Sequence, residues 1–505
     1  MATLERKHVS KWVPTDKTTL MIVLLFTTVV NSCTLGYDSS MMSGLNILPQ
    51  YKDYFHLNSK TQGLLTAGSW MGHILATPFI QYIPDKYGRK ATITVSAFFC
   101  VIASIITTAA QNPATFILGR IITGFGSQIS SGGAPTLVGE IVKPGRRGFI
   151  LGLFFSCYYV GSLISASVNL GAVDIATTWA WRLPAILQCV PSVLSLCFLP
   201  FVPESPRWLI ANGKSEEARE TLAIVYGQTD VDGLETSAIY TEIRSAIMYE
   251  KETYPRNPWK EITTGKPNLH RLFICVSFGI MLETLGNFVA SFYLGDMLTL
   301  AGITNSTTQL QINVILSCWC FVVAVVGSYL LDIIGRRPQM LWSVLSMAVC
   351  LFAIGAMTKA YGTSTNTSGI YGTIAFIFIF QGLYSVSVTP LTTVYAPEIM
   401  HYSIRTAGIS VFRLFDCIAG LSYSFAMPYA MESLGWKFFM VNAVINIFFF
   451  VVVWFSWVET KGIPLEEIAI KFGEPDPRSI EVIDGEVAGD DDDKRSVTVK
   501  VKQQI

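Results

Sequence analysis

Two side chains of opposite charge, Asp38 and Arg120, lie deep inside apolar stretches near residues 20–44 and 113–139. Each stretch is long enough to cross a bilayer core, which takes about 20 helical residues. An ionisable group at that depth costs several kcal/mol unless it is paired or hydrated. A nearby guanidinium favours the carboxylate and a dry apolar environment favours the neutral acid. A change in this environment would make Asp38 bind or release a proton, whereas a static ion pair that locks two helices is the alternative.

Apolar segments of this length recur along nearly the whole chain. The sequence is 51% hydrophobic and 14% charged, against about 25% charged residues in ordinary soluble proteins. We predict an all-α membrane protein with about twelve transmembrane helices. These spans lie near residues 20–44, 62–83, 91–110, 113–139, 148–170, 182–202, 270–300, 308–331, 339–359, 371–396, 404–430 and 436–458. The formal net charge is zero, so composition does not indicate nucleic acid as a partner.

A short charged phrase occurs twice, after the second and the eighth predicted span. Residues 85–90 are DKYGRK and residues 332–337 are DIIGRR, which places the copies 332 − 85 = 247 residues apart. One long duplication flanked by apolar segments indicates a carrier built from two related halves. The predicted organisation is a cytoplasmic N-terminus (1–19), a six-helix half (20–202), a cytoplasmic linker with short helices (203–269), a second six-helix half (270–458) and a cytoplasmic tail (459–505).

Basic residues indicate which ends of the spans face the cytoplasm. Clusters at residues 86–90, 143–147 and 336–337 all fall on one side of a twelve-span topology, and the positive-inside rule makes that side cytoplasmic. The glycosylation sequons at Asn305 and Asn366 fall in loops on the opposite side. We therefore expect cytoplasmic termini, glycosylation at both asparagines and location in the plasma membrane.

Further phrases, taken with those above, resemble the sugar porter branch of the major facilitator superfamily over roughly residues 20–470. They are Gly36-Tyr37-Asp38, the two repeated loops, Gly119-Arg120, Glu140 followed by Arg147, PESPRWL at 203–209, Glu398 followed by Arg405, and VETKG at 458–462. Within this branch the chain looks most like fungal lactose permease-like and hexose transporters, on CYYVGS at 157–162, Gly286-Asn287 and YAPEIM at 395–400. The resemblance implies two pseudo-symmetric six-helix halves, a functional monomer and no cofactor.

The resemblance also assigns roles to charged residues. It implies that Asp38 and Arg120 form a proton-linked pair. It further implies a cytoplasmic network of ion pairs that joins the cytoplasmic ends when the carrier opens outward. The network residues are Asp85, Arg89, Glu140, Arg147, Glu204, Arg207, Asp332, Arg336, Glu398, Arg405 and Glu459. The basic residues among them also set topology.

The substrate pocket departs from the family pattern. Recognition of a sugar needs converging hydrogen-bonding groups and aromatic faces, and Glu283 stands where the family usually has a glutamine. Glu283 lies four residues before Asn287, a spacing that predicts one shared helix face. The candidate binding residues are Phe155, Tyr158, Tyr159, Glu283, Asn287, Phe292, Tyr293, Thr389, Thr392 and Thr393. Glu283 could bind hydroxyls, a cationic substrate or a second proton, and Arg413 and Asp416 are spaced to pair with each other.

The predicted function is secondary active transport of a sugar or sugar-like small solute, in symport with protons. One alternative is a carrier, for uptake or efflux, of a less polar fungal metabolite. Another is a non-transporting nutrient sensor, for which a longer cytoplasmic tail would be expected. The sequence has no P-loop motif for ATP, and its ten cysteines show no metal-ligand spacing. An enzyme is therefore not predicted.

Overall fold

The computed structural model describes residues 7–142, 144–227, 233–253, 258–364, 366–463, 468 and 470–473. Across these ranges the chain is helical and contains no β-strand. The side chain of Arg147 and the acidic tail beyond residue 473 were both included in the sequence predictions, and they lie outside what is described.

The first predicted half consists of ten helices. They are α1 (Lys17–Leu45), α2 (Pro49–Phe55), α3 (Ser59–Ala76), α4 (Phe79–Tyr87), α5 (Arg89–Thr108), α6 (Pro113–Ile141), α7 (Pro144–Ser156), α8 (Tyr158–Ala172), α9 (Trp179–Leu187) and α10 (Cys189–Phe198). A 3₁₀ turn at Leu199–Phe201 ends this series. Four short linker helices follow: α11 (Pro206–Ala211), α12 (Ser215–Tyr226), α13 (Leu234–Thr253) and α14 (Pro258–Ile262).

The second predicted half begins with an interrupted helix and continues with five long ones. They are α15 (Lys266–Thr284), α16 (Asn287–Phe292), α17 (Leu294–Leu300), α18 (Ser306–Ile334), α19 (Arg336–Tyr361), α20 (Thr367–Ile399), α21 (Tyr402–Leu434) and α22 (Lys437–Ser456).

Nine helical stretches within the described residues are long and apolar enough to cross a membrane. They are Lys17–Leu45, Arg89–Thr108, Ile150–Ala172, Trp179–Phe201, Ser306–Ile334, Arg336–Tyr361, Thr367–Ile399, Ala407–Leu434 and Lys437–Ser456. The other predicted spans correspond to α3 with α4, to α6, and to α15–α17. Of these, α6 is 29 residues long but carries Arg120, Gln128 and many glycines and serines, and the others are interrupted. The count of twelve spans therefore stays a prediction.

Asparagine and other short polar side chains fix several helix starts. Asp16, Asn58 and Asn112 each precede a helix and accept a hydrogen bond from a backbone N–H of its first turn, which satisfies a donor that the helix itself leaves free. The sequon residues Asn305 and Asn366 do the same for α18 and α20. Both asparagines are exposed at helix N-termini, and their glycosylation stays a prediction.

The seventh predicted span is broken at Gly286, and this corrects one sequence inference. Gly286 has φ 99°, in the left-handed region that favours glycine, so α15 ends at Thr284 and α16 begins at Asn287. Glu283 and Asn287 therefore lie on different helices rather than on one helix face. The spacing argument was wrong because it assumed an uninterrupted helix. Interrupted membrane helices are typical of binding sites in transporters.

Glycines allow close approach of the helices that carry the charged pair. A β-carbon at Gly36 of α1 would collide with the backbone of Tyr158, and one at Gly124 of α6 would collide with the backbone of Ser69. Small residues at such positions let helix backbones pack closely in a bilayer. The sequence Gly124-Phe125-Gly126 is thus a packing feature of α6.

Glu220 on α12 anchors the segment that precedes α1. Its Oε1 accepts a hydrogen bond from the backbone N–H of Lys7 at 3.0 Å, and its Oε2 accepts from His8 at 3.0 Å and Val9 at 2.8 Å. Burial raises the pKa of Glu220, but these hydrogen bonds favour the carboxylate more strongly, so that its pKa is lowered overall. The ionised carboxylate therefore attaches the N-terminal segment to the linker.

We expect Glu220→Gln to release this segment, because an amide presents only one acceptor oxygen to three donors. Loss of such contacts costs about 1–3 kcal/mol, and the amides of residues 7–9 should exchange faster in hydrogen–deuterium exchange. Because the pKa of Glu220 is lowered by folding, the stabilisation from this anchor is fully present above the ordinary glutamate pKa of about 4.3. It is lost as the pH falls through the lowered pKa.

The matched control is Glu216→Gln, at an exposed position in the first turn of the same helix. Unchanged protection in Glu220→Gln would contradict the assignment. The assignment would also be contradicted if residues 7–9 of the wild-type protein were as well protected at acidic pH as at neutral pH, after correction for the pH dependence of intrinsic exchange.

Candidate functional site

Asp38 and Arg120 form an ion pair inside the molecule. Arg120 Nη1 donates to Asp38 Oδ1, and the two residues are 5% and 0% exposed. Gln188, between α9 and α10, donates its Nε2–H to the same carboxylate oxygen at 2.6 Å, and Arg120 Nη2 donates to Ser69 Oγ at 3.0 Å. Such charges are tolerated at depth because each has both a counter-charge and a hydrogen bond.

A cavity of about 130 Å³ lies beside this pair, between the two predicted halves. Asp38 lines it from α1, and Gln128 lines it from α6. Eight of the predicted substrate-binding residues also line it: Phe155, Tyr158, Tyr159, Glu283, Asn287, Phe292, Thr389 and Thr392. The cavity thus combines aromatic faces with hydroxyl, amide and carboxyl groups, as expected for a site that binds a small polar solute.

Tyr293 and Thr393 do not line the cavity. Tyr293 is buried and donates its hydroxyl hydrogen to Ser424 O at 2.9 Å, so it packs within the second half. Thr393 Oγ1 is directed to Leu151 O of α7 at 3.5 Å. Both residues neighbour cavity-lining residues in the sequence. Tyr293, between α16 and α17, and Thr393, on α20, direct their side chains into packing contacts instead.

A second charged cluster lines the cavity from the other half. Arg413 Nη1 donates to Asp416 Oδ2 at 3.3 Å on α21, so these residues pair as their spacing predicts. Glu283, on α15, lines the same cavity, and its carboxyl group interacts with that of Asp416. The ring of Phe155 lies 6.0 Å from the Arg413 guanidinium, which brings an aromatic face from the first half to this cluster.

Contacts between the halves close the end of the cavity that is predicted to be extracellular. Asn46 Nδ2 donates to Phe292 O at 3.0 Å, and Gln62 Nε2 donates to Asp296 Oδ2 at 2.8 Å. The Trp70 ring packs against the ring of Phe292, with centroids 6.1 Å apart. Each of these three contacts joins one half to the other, so together they hold the halves against each other on this side of the cavity.

At the opposite end, the repeated loops build the same arrangement in each half. Arg89 makes a bidentate pair with Glu140, with Nε–Oε2 3.0 Å and Nη2–Oε1 2.9 Å. Arg336 repeats this with Glu398, at 3.1 and 2.9 Å. The predicted acidic partners Asp85 and Asp332 lie 3.6 and 3.2 Å from the Nη1 atoms of these arginines. Planar bidentate pairs of this kind are stronger and more directional than single contacts.

A further glutamate caps the helix that follows each loop. Glu204 accepts backbone hydrogen bonds from Arg89 at 3.0 Å and Lys90 at 3.1 Å, at the start of α5. Glu459 accepts from Arg336 and Arg337, both at 3.0 Å, at the start of α19. A carboxylate at a helix N-terminus satisfies free donors and complements the helix dipole. Burial nevertheless outweighs these donors at Glu204 and raises its pKa.

These described ion pairs join elements of the same half. The family resemblance implies a network that joins the cytoplasmic ends, and the pairs that Arg89 and Arg336 make with Glu140 and Glu398 each lie within one half. Among the other predicted network residues, Arg207 lies in α11, and Arg405 Nη2 lies 3.5 Å from Met400 O. A role of the network in gating stays a prediction.

Sequence reasoning did not single out several residues of the site. Gln188 contacts Asp38, Ser69 contacts Arg120, and Gln381 donates to Asn287 Oδ1 at 2.6 Å. Gln188 and Gln381 could have been noticed in the sequence, because an amide side chain inside an apolar span needs a hydrogen-bond partner there. Ser69 offers no such signal, since serine is common in membrane helices and its partner is set by helix packing.

Comparison with known proteins identifies both a family and a fold. The family described as "Sugar (and other) transporter" matches residues 24–472. A high-affinity glucose transporter of Kluyveromyces lactis is 27% identical over 472 residues, covering 88% of this chain and 84% of the relative. An MFS-type transporter of Aspergillus oryzae is 27% identical over 447 residues, covering 86% and 82%.

Solved structures of a xylose transporter share the fold. The proton:xylose symporter XylE, bound to 6-bromo-6-deoxy-D-glucose, matches with a TM-score of 0.75 at 20% identity, covering 90% of this chain and 100% of that chain. The partially occluded inward-open form of XylE from E. coli matches with 0.73 at 19% identity, covering 88% and 99%.

We predict that Glu204→Gln and Glu459→Gln destabilise the protein to a similar extent. Each replaces one acceptor oxygen at a pair of backbone donors with an N–H group, at a cost of about 1–3 kcal/mol. The thermal unfolding midpoint in detergent micelles should fall in both variants. Glu216→Gln, on the exposed face of α12, is the control. An unchanged midpoint in either capping variant would show that its carboxylate is not needed for helix capping.

We also predict that Gln62→Ala weakens the closed side by removing the hydrogen bond to Asp296. One such bond contributes about 0.5–1.5 kcal/mol, so the population opened on that side should rise about 2- to 10-fold. The measurement is the rate at which an impermeant thiol reagent modifies a Ser291→Cys reporter in the cavity, relative to the parent. Gln111→Ala, at an exposed loop position, should leave the rate unchanged. Equal rates in both variants would refute a closing role for Gln62.

Proposed function

The chain belongs to the sugar (and other) transporter family, and we propose that it moves a sugar or sugar-like small solute by alternating access in symport with protons. The observation that carries the proposal is the buried Asp38–Arg120 pair, because its carboxylate also lines the cavity between the halves. A titratable group in that place can respond both to water entering the cavity and to the solute bound there.

The solute would bind between the halves. Tyr158 and Tyr159 line the cavity from α8, and Asn287 and Thr389 line it from the second half. Tyr159 already links the halves, since its hydroxyl lies 2.7 Å from Ser385 Oγ and 3.2 Å from Thr389 Oγ1. A solute with several hydroxyl groups could replace contacts of this kind on both sides and so favour one arrangement of the halves over another.

The proton would act through the contacts of Asp38. Protonation removes the charge that Arg120 pairs with, and so weakens the tie between α1 and α6. The guanidinium would keep its hydrogen bond to Ser69, and Gln188 would remain against the neutral acid. Proton binding biases the conformational equilibrium only by the difference between its affinities for the two states. Solute and proton would be transported together if binding of each one favours the same conformational state of the carrier.

Alternating access would use the inter-half contacts as the parts that change. The Asn46 and Gln62 hydrogen bonds close one side in this structure, and they would break when that side opens. The Arg89–Glu140 and Arg336–Glu398 pairs lie within halves, so they would keep each half intact as it moves. Rigid halves that rock around a central site are the expected behaviour of this architecture.

The same proposal includes the setting of the carrier. It would be a functional monomer in the plasma membrane with both termini in the cytoplasm, on the grounds of the basic clusters at residues 86–90 and 336–337. The exposed Asn305 and Asn366 would then face outside, where glycans can be attached.

We predict that Asp38→Asn abolishes proton-driven accumulation and leaves exchange of the solute. The amide can still hydrogen-bond to its neighbours, but it cannot bind and release a proton. The assay is a panel of hexoses, pentoses, disaccharides and polyols in proteoliposomes, with internal solute and external pH recorded together, with and without a pH gradient.

Asp174→Asn is the matched control, since it makes the same chemical change at an exposed loop position. Full concentrative uptake by Asp38→Asn would refute coupling through this carboxyl group. Failure of the whole panel in the wild type, with uptake of less polar solutes instead, would favour a carrier for a different class of metabolite.

A further inference from the structure

The cavity contains a carboxyl oxygen without a donor. Asp416 is 6% exposed and lines the cavity from α21. Its Oδ2 accepts from Arg413 Nη1 at 3.3 Å, but no N–H or O–H group of the described residues donates a hydrogen bond to its Oδ1. A buried carboxyl oxygen that no group donates to has lost its hydrogen bonds to water without gaining others, so the cluster lacks one hydrogen-bond donor.

A second carboxyl group makes the deficit larger. Glu283 lines the same cavity from α15. It lies one helical turn beyond Gly279, where an added β-carbon would be only 3.0 Å from the backbone nitrogen of Asp416, and its carboxyl group interacts with that of Asp416. Two ionised carboxylates cannot hydrogen-bond to each other, and in a poorly hydrated site they repel strongly unless one takes up a proton. With both ionised, the two carboxylates and the one guanidinium of Arg413 leave one unbalanced negative charge.

The other groups around the pair do not supply the missing charge. Arg120 is already paired with Asp38, and His73 Nε2 is hydrogen-bonded to Ser127 Oγ at 3.2 Å. Among the described residues, the other titratable groups that interact with the pair are Cys417 and Tyr423 on α21, Tyr384 on α20 and Tyr158 on α8. None of these four side-chain types carries a positive charge in any protonation state.

We propose that Glu283 and Asp416 share one proton and form a second proton-binding site, in the half opposite Asp38. The shared proton supplies the donor that the carboxyl–carboxyl contact needs, and it makes the cluster with Arg413 electrically neutral. The proton comes from water when the cavity is open and returns to water when the pair is next hydrated. No bond other than an O–H bond forms or breaks.

The site has a consequence for transport that rests on the proposed function. A cycle in which both sites load and unload would move a proton on each half of the carrier along with the solute. Glu283 in its acid form is also a hydrogen-bond donor toward the cavity, whereas the ionised form is only an acceptor. Proton occupancy here would therefore change which solute groups the second half can bind.

The test uses the full-length protein in lipid nanodiscs, without solute, and detects the proton directly. Infrared difference spectra between acidic and alkaline pH report carboxylic acid groups through their C=O stretching band. Wild type should show a band at neutral pH that both Glu283→Gln and Asp416→Asn remove. In each variant one carboxylate remains and faces Arg413. This carboxylate and the guanidinium together are electrically neutral, so no shared proton is needed. Proton release on alkalinisation, followed with a pH dye, should fall by about one proton per protein in each variant.

The controls separate this site from the first one. Asp174→Asn, exposed and remote from the cavity, should retain the band and the proton count, and Asp38→Asn should retain the band assigned to the Glu283–Asp416 pair. Unfolding midpoints measured at neutral pH show whether each variant is folded, and two independent amide variants guard against misfolding in one of them.

Two outcomes would overturn the proposal. One is a wild-type spectrum and proton count that neither Glu283→Gln nor Asp416→Asn changes, which would mean that both groups are ionised at neutral pH. The other is that a cationic solute, tested with glucosamine against glucose, binds to wild type with release of no proton and loses its affinity in both variants. In that case the solute, not a proton, supplies the positive charge. Neither result depends on whether Asp38 couples transport, because that is read from the Asp38→Asn accumulation assay.

Discussion

The arrangement of the first half depends on a buried ion pair that must stay compensated. Removing one partner of such a pair is expected to cost about 3–5 kcal/mol, because the other charge is left in a poorly hydrated site. The side chains around Asp38 satisfy this requirement from different helices, with Arg120 on α6, Ser69 on α3 and Gln188 beyond α9. Glycines at the helix crossings bring these elements close enough for the contacts to form. Under the proposed function, this pair would be the part of the first half that responds to water and protons.

The strong and the weak contacts are distributed differently over the molecule. Bidentate arginine–glutamate pairs and capping carboxylates occur within each half, and the two sets have nearly the same geometry. Contacts between the halves are mostly single hydrogen bonds of hydroxyl or amide groups, such as those of Asn46 and Tyr159. Single neutral hydrogen bonds contribute about 0.5–1.5 kcal/mol each. The halves are therefore the durable units, and the surface between them is the part that can rearrange.

The two halves contribute unlike charges to the cavity. In the first half, Asp38 is balanced by one arginine. In the second, Glu283 and Asp416 face the single guanidinium of Arg413. The repeated loops and caps have similar geometry in the two halves, whereas the charged residues that line the cavity differ between them.

Several properties could be predicted from the sequence because they depend on local composition or on a repeated phrase. Apolar segments of bilayer length predicted the all-helical membrane fold, and the two DxxGR loops predicted two related halves. The glutamate partners of the loop arginines were implied by the family resemblance. Depth within an apolar span was enough to single out Asp38 and Arg120. Tertiary structure decided the rest. Gly286 interrupts a span and separates Glu283 from Asn287, Tyr293 and Thr393 turn away from the cavity, and Gln188 and Ser69 reach the ion pair. Those outcomes depend on how helices distant in sequence pack against each other, and residue spacing along one helix carries no information about its neighbours.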